Sequence, residues 1–495
     1  MAPPSGHAGR WHMAEAAELV LAKLKAEQLS ESHIKFREHT TAPSNSQGVP
    51  GIIAPGATGV IYVTDRASAN GYKGGDDPEW ANFGQGAPET GPLPGAMPRP
   101  TSVDLSAGGD EINEYAPTAG VKELRQAVAD YYNREYRQGK GSQYTYRNVC
   151  IVPGGRAGIA RVCSVIGDVF VGYQVPEYTA YDALLSCFHR LVPIPSSLSE
   201  KDGYKLNLEQ LRETINGTGL TAVVMSNPRN PTGQAVVGEE LDALVKIGVE
   251  TSTTMILDEF YSWYQYDPDK HGHSKSAAEY VKDVKTDPIV LVDGLTKNWR
   301  LPGWRCCWVV GPEDLIEAIS QSGSFLDGGA NHPLQLAAIP LLSAEHVQKD
   351  RLALQECFKA KRDYVLGRLD EMGLHVKHPP HATFYIWLDL SSLPEPLNQG
   401  LVFFEECLKE KVIVVPGLSF DVNPANRRSL SSSPCARFVR LSFGPKMEKL
   451  KLGLDGIARV IERSKDPAGL EAMNKDLKPS AHPDSVEGSH GKQAA

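Results

Sequence analysis

Between residues 119 and 340, short apolar runs alternate with amphipathic stretches, and this alternation constrains the fold more than any other feature. Strand-like runs fall at Asn148–Pro153, Asp168–Gly172, Thr221–Met225, Thr254–Leu257, Ile289–Val292 and Cys307–Val310. Several are apolar and β-branched along their whole length, which suits strands covered on both faces. Helical periodicity is read at Val121–Tyr132 and Gly158–Ile166, and again between several of the later runs. Such a chain builds an α/β fold around a mostly parallel sheet. Its ligand is expected beyond the carboxyl ends of the strands.

What stands at those ends is chemically loaded. After Thr221–Met225 comes SNPRNPTGQ (226–234), in which two Asn-Pro pairs stop the strand and stiffen the loop. After Thr254–Leu257 comes Asp258-Glu259-Phe260-Tyr261, an acid at the end of an apolar strand that is costly to bury without a cation. After Ile289–Val292 comes DGLTKNWRLPGWR, with Lys297 in the turn. A lysine there is either a snorkelling cation or a group held for its nitrogen. Upstream, Gly154 and Gly155 separate a strand from a helix, where backbone N–H groups and the helix dipole can hold a phosphate. No Walker lysine follows, and the full dinucleotide fingerprint is missing.

The rest of the chain narrows the function by exclusion. Its 495 residues exceed one compact core. The formal charge of −9 and the lack of a basic stripe argue against a nucleic-acid surface. The 8 cysteines form no CxxC pair and have no histidine at ligand spacing, which speaks against zinc or a disulfide framework; Cys306 and Cys307 read as core packing. No run is long enough to span a membrane and no signal pattern opens the chain, so no membrane partner and a cytoplasmic location are expected. A helix is read at Glu15–Gln28, and a strand-like run at Gly59–Val63 inside a Gly/Pro-dense region, 42–100. That irregular region needs its own domain or a partner subunit to lie on. The expected division is an N-terminal arm with one helix (1–60), a large domain (61–342, with 61–100 an irregular lead-in), a small C-terminal domain (343–464) and a disordered tail (465–495).

A phosphate cradle, a carboxylate, a lysine and an aromatic shelf are the needs of pyridoxal 5′-phosphate. With Asn-Pro-Thr-Gly, Asp-x-x-Tyr, Lys followed eight residues later by Arg, and a late RFVRLSFG, in that order, the chain resembles the class I/II aminotransferases of the aspartate-aminotransferase fold over roughly residues 80–460. The resemblance implies fold type I: a large domain with a mostly parallel seven-stranded sheet flanked by helices, and a smaller α+β domain. It implies pyridoxal 5′-phosphate as cofactor, an amino acid and a 2-oxo acid as substrates, and a homodimer with shared active sites.

It also implies roles. Lys297 would form the Schiff base and carry the proton, and Arg305 would clamp the phosphate. Asp258 would pair with the pyridinium nitrogen, while Tyr261 and Asn230 would bond the phenolic oxygen. Gly155 and Arg156 would give backbone N–H groups to the phosphate, and Tyr178 would stack on the ring. Tyr115 would reach the phosphate of the neighbouring subunit, with region 42–100 lying on that partner. Arg440 would grip the substrate α-carboxylate, with Gly86 beside it and Arg437 left at the surface. Trp299 and Trp304 read as walls of the lysine turn.

Some positions depart from the family pattern. Gly294 stands where a phosphate-binding serine is common, with Thr296 a partial substitute; Arg229 stands for asparagine and Arg156 for a small polar residue. Amino transfer leads among the functions. A C–S lyase, cyclase or decarboxylase of the same fold would share these motifs, whereas a transcription regulator would need a basic winged helix that residues 1–60 do not supply. The stretch 322–335, where dicarboxylate-specific members place a second arginine, has none. Its one charge, Asp327, either faces the pocket and favours a distal amine or caps a loop beside Gly328.

Overall fold

The computed structural model describes residues 31–40, 59–106, 109–424 and 427–475. The helix expected at Glu15–Gln28 lies outside them. Among the described residues the strands run β1 (Ala81–Asn82), β2 (Val149–Val152), β3 (Val169–Val175), β4 (Leu191–Ser197), β5 (Leu220–Ser226) and β6 (Thr254–Asp258). They continue with β7 (Ile289–Gly294), β8 (Cys307–Val310), β9 (Tyr385–Asp389), β10 (Val412–Ile413), β11 (Val415–Pro416) and β12 (Phe438–Ser442).

Seven of them form one sheet in the order β2-β8-β7-β6-β5-β3-β4. Neighbours from β4 to β7 are parallel, and β8 alone runs against both of its neighbours. The central strands β6, β7 and β8 are buried almost without interruption, as their apolar composition demands. Cys306 and Cys307 are core residues. Because the parallel strands share one direction, β5, β6 and β7 deliver their last residues to a single edge.

A three-stranded antiparallel sheet, β11-β12-β9, carries Arg440 on its middle strand, opposite Trp387 and Val415. The helix Ala344–Glu371 begins at the cap Ser343, whose hydroxyl accepts from His346 N, and spans 28 residues. No helix among the described residues is long and apolar enough to cross a membrane.

Several expectations change. Gly59–Val63 is not a strand but the start of a helix, Gly59–Ala69. The run is too short to show its period. Followed to Ala69 it buries Tyr62, Val63 and Ala67, and Tyr62 packs against Phe36 with ring centroids 5.0 Å apart. The described part of region 42–100 makes contacts within its own chain: β1 pairs with β10, and Arg99 donates to the carbonyls of Trp299 and Arg300 at 2.8 and 2.9 Å. The tail is ordered further than its polarity suggests. Pro467–Lys475 is a helix whose Met473 is buried and whose Leu470 N donates to Asp466 O at 3.0 Å. The helix read from Gly158 starts instead at Gly155, directly after β2. That shift moves a helix N-terminus to the edge where β5, β6 and β7 end.

Candidate active site

A cavity of about 490 Å³ opens at this edge. Its wall includes Asn230, Asp258 and Lys297 from the ends of three adjacent strands, joined by Gly155, Arg156 and Tyr178. Tyr261, Arg305, Gly86 and Arg440 complete it. Of the residues given a cofactor- or substrate-binding role from the sequence, Tyr115 stands outside this wall, with 93% of its surface exposed.

The end of the cavity beside Gly155 is built from a loop and a helix start. Gly154 has φ of +110°, and a Cβ there would lie 1.7 Å from Nη2 of Arg305. The guanidinium therefore occupies the space a side chain would fill, next to the first turn of the helix Gly155–Val165. Arg305 is held by a 3.0 Å bond from Nη1 to Pro302 O. A helix N-terminus with a guanidinium beside it is an anion site. Arg156 turns its side chain to Tyr178, whose hydroxyl accepts from Nε at 3.1 Å. The glycine at 294 also has a reason: a Cβ there would come within 2.4 Å of Cys307 Cα on the neighbouring strand. Thr296, on the cavity wall, is the hydroxyl left at this end, and its Oγ1 lies 3.2 Å from Cys307 Sγ.

Asp258 and Lys297 share the cavity wall, and each feels the other's charge. Burial is the main force raising the Asp258 carboxyl, to about 7, against the opposing bond from the Tyr181 hydroxyl at 3.1 Å. Burial likewise lowers the Lys297 ammonium to about 7, helped by the Arg440 charge and opposed by Asp258. Lys297 Nζ donates to Gly86 O. Near neutrality this amine is available in its uncharged, nucleophilic form. Oδ1 of Asp258 is buried without a protein partner. It is positioned for a donor brought by a ligand.

At the opposite end Arg440 is 2% exposed. It donates to Asn230 Oδ1 at 3.1 Å and Gly84 O at 2.8 Å, and its carbon lies 4.2 Å from the Tyr385 ring centre. Its Nε has no partner, and among the described residues no carboxylate pairs with it. A buried guanidinium bonded only to neutral oxygens is a receptor for a carboxylate. Tyr261 shares a 2.9 Å bond with Tyr385, both hydroxyls being buried. Outside the cavity, Arg437 pairs with Glu200 and Asp389 while half exposed, as a surface residue would. Trp299 is buried and donates to Leu341 O at 2.9 Å; Trp304 is part-buried against the core. Asp327 caps a loop: it receives the Arg161 guanidinium and accepts from Gly329 N at 2.9 Å, away from the cavity wall.

Comparison with known proteins meets this geometry. The family model for aminotransferases of class I and II matches residues 78–457. The chain is a class I/II aminotransferase. It is 27% identical over 358 residues to an aspartate/prephenate aminotransferase of Thermus thermophilus, covering 71% of this chain and 84% of the other. It is 27% identical over 392 residues to a probable N-succinyldiaminopimelate aminotransferase of Mycobacterium tuberculosis, covering 77% and 92%. In fold it superposes on the T. thermophilus aspartate aminotransferase with maleate at a TM-score of 0.66, with 22% identity over 81% of this chain and 96% of that one.

The aminotransferase depends on pyridoxal 5′-phosphate and moves an amino group between an amino acid and a 2-oxo acid. Its cavity fits that cofactor: an anion cradle where a Cβ cannot sit, an unpartnered carboxylate oxygen, and a lysine. The sequence reading missed Tyr181, Ser226 and Tyr385. Ser226 ends β5, so the strand-end rule could have found it; it accepts from Asn230 N at 3.1 Å and donates to buried Glu177. Tyr181 and Tyr385 look like ordinary core aromatics in sequence, and nothing local marks them.

Two predictions arise here. Gly154→Ala in the aminotransferase displaces the Arg305 guanidinium and strains a backbone at positive φ. Cofactor affinity is expected to fall about tenfold to a hundredfold, read by equilibrium dialysis, with the chain still folded. The second concerns Glu259, buried behind Asp258 and bonded to Ser276 Oγ at 2.5 Å and Ala277 N at 2.8 Å. Burial pushes its carboxyl up to about 8. The folded chain then holds a proton that the unfolded chain releases, so this contribution is complete below the ordinary carboxyl range and is lost as pH rises through about 8. Glu259→Gln should flatten that loss; urea midpoints that fall equally with pH in both proteins would refute it.

Proposed function

We propose that Lys297 is the residue that binds the cofactor covalently and carries the proton during amino transfer, with an amino acid of uncharged side chain as donor. The observation that carries the reading is the convergence of Lys297 and Asp258, each poised about neutrality, between an anion cradle and a carboxylate-free arginine. When bound, pyridoxal 5′-phosphate supplies an electron sink for the bond broken at the substrate Cα.

Residues of this cavity bind the cofactor, orient it and move the proton. Gly155, Arg156 and Arg305 hold the phosphate, Tyr178 covers one ring face, and Asn230 and Tyr261 give hydrogen bonds to the phenolic oxygen. Asp258 keeps its negative charge once a protonated ring nitrogen is beside it, because the cation offsets the burial that otherwise favours the neutral acid. Arg440 orients the α-carboxylate with Gly86 at its side. Lys297 Nζ, neutral in a fraction of molecules near pH 7, accepts the Cα proton and returns it.

The donor class rests on charge. The cations on the cavity wall are Arg156, Lys297, Arg305 and Arg440. Arg305, Arg440 and Lys297 have tasks in this reading, and Arg156 is turned to Tyr178. Among the described residues of this wall a distal carboxylate would find no free buried cation, and a distal amine would not meet Asp327, which is bound to Arg161. A panel of donors with a common 2-oxo acid tests this. Neutral donors are expected to exceed aspartate, glutamate, lysine and ornithine in kcat/KM; a preference for aspartate, the donor named for several relatives, would overturn it.

The same reading includes a homodimer in which Tyr115 reaches the phosphate in the partner's cavity. It also includes a division into an arm (1–60), a large domain (61–342) and a small domain (343–464), supported by the helix cap at Ser343. It further includes a cytoplasmic location and a role in amino-acid biosynthesis, the latter in keeping with the aminotransferase names of the relatives.

A further inference from the structure

A second cavity, of about 180 Å³, lies toward the β4 edge of the large sheet, between β3, β4 and the helix Leu208–Thr218. It shares no lining residue with the catalytic cavity. On its wall Gln174 of β3 stands opposite Ser196 of β4 and is 1% exposed. Neither Nε2 nor Oε1 of Gln174 has a protein partner. Burying a primary amide with both atoms unsatisfied is costly, and such a group needs an account.

Three polar groups on the same wall are already engaged elsewhere. Ser196 Oγ donates to Tyr173 O at 3.3 Å, Asn207 Oδ1 accepts from Gln210 N at 2.9 Å, and Thr214 Oγ1 donates to Gln210 O at 2.8 Å. No protein atom bonds the amide, and the cavity it lines is where a partner can meet it. A carboxylate can satisfy only Nε2, and an ammonium only Oε1. A second primary amide laid edge to edge satisfies both, N–H to O twice. Further along the same wall stand Asp202 and Lys205, both exposed and with no ion pair among the described residues. One suits an ammonium and the other a carboxylate. The space corresponds to about six liquid waters, the bulk of a small amino acid.

We propose that this cavity binds an amide-bearing amino acid of the glutamine or asparagine type. Its side-chain amide pairs with Gln174, and its α-ammonium and α-carboxylate turn toward Asp202 and Lys205. The site is separate from catalysis and does not depend on which donor the enzyme uses.

Calorimetric titration of the holoenzyme with glutamine and with asparagine tests this, compared between the natural chain, Gln174→Leu and Lys205→Ala. Gln174→Leu exchanges an unsatisfied amide for an apolar group of similar size and should fold; Lys205→Ala changes only an exposed side chain. Occupancy of the catalytic cavity reveals itself in the cofactor absorbance, whereas binding beside Gln174 leaves that spectrum unchanged. The expected result is a spectrally silent site that weakens about tenfold or more in Gln174→Leu and severalfold in Lys205→Ala, with kcat for the best donor unchanged. Glutamate and aspartate should bind it about tenfold more weakly. Equal affinity in Gln174→Leu, binding that always moves the cofactor spectrum, or solvent alone beside Gln174 in crystals grown with saturating glutamine would overturn the proposal.

Discussion

Lys297→Ala should lower turnover by about 10⁴-fold or more while leaving a folded protein that still takes up the cofactor. In the proposed reading the side chain is both the nucleophilic nitrogen and the proton carrier, and among the described residues no other amine lines the cavity. Folding should survive because truncation removes a buried cation that burial itself opposes. The loss on the other side is one bond to the Gly86 carbonyl. Borohydride reduction followed by mass measurement separates the outcomes: the natural chain retains cofactor covalently and the variant does not. A variant that keeps natural turnover would end the reading of Lys297.

Asp258→Asn is the second large effect, about 10²–10³-fold on the single-turnover rate of Cα deprotonation. Asparagine keeps the volume and can still meet the Tyr181 hydroxyl, so the cavity should hold its shape. It cannot carry the negative charge that keeps a ring nitrogen protonated. The substitution leaves Gly155 and Arg305, the proposed phosphate contacts, untouched, so cofactor affinity should change far less than rate. The split between affinity and rate is the diagnostic. A variant whose deprotonation rate is unchanged, or whose loss lies wholly in cofactor binding, would contradict the role.

The ends of β5, β6 and β7 were legible in the sequence for a physical reason. Burying a carboxylate, an amide or an amine in an apolar strand is costly, so such residues at a strand end point to the site, although Gln174 shows that β3 buries an amide within its length. The Gly154–Gly155 turn was legible as well, although its helix begins at Gly155 and not at Gly158. That residue shift matters, since it aims free backbone N–H groups at the cradle. Gly59–Val63 misled because β-branched residues carry strand propensity, whereas its helix is decided by packing of Tyr62 against residues distant in sequence, Phe36 and Phe404. Tyr181 and Tyr385 were invisible for a similar reason: their hydroxyls acquire partners only when separate elements meet at Asp258 and Tyr261.

The reversed strand β8 gives the site a built-in ruler. Leu295 N donates to Cys306 O at 3.0 Å, closing the neck of the loop between β7 and β8. Lys297 leaves on the outgoing limb and Arg305 returns on the incoming one, so a single ladder fixes their separation. Asp258, Asn230 and Arg440 arrive from other strands and depend on how those elements dock. Breathing between elements can therefore shift the carboxylate receptor against the amine while the amine and the phosphate clamp travel as one piece. An inserted residue within this loop would be a different kind of insult, since it changes the gauge itself and no repacking of neighbouring helices could restore it.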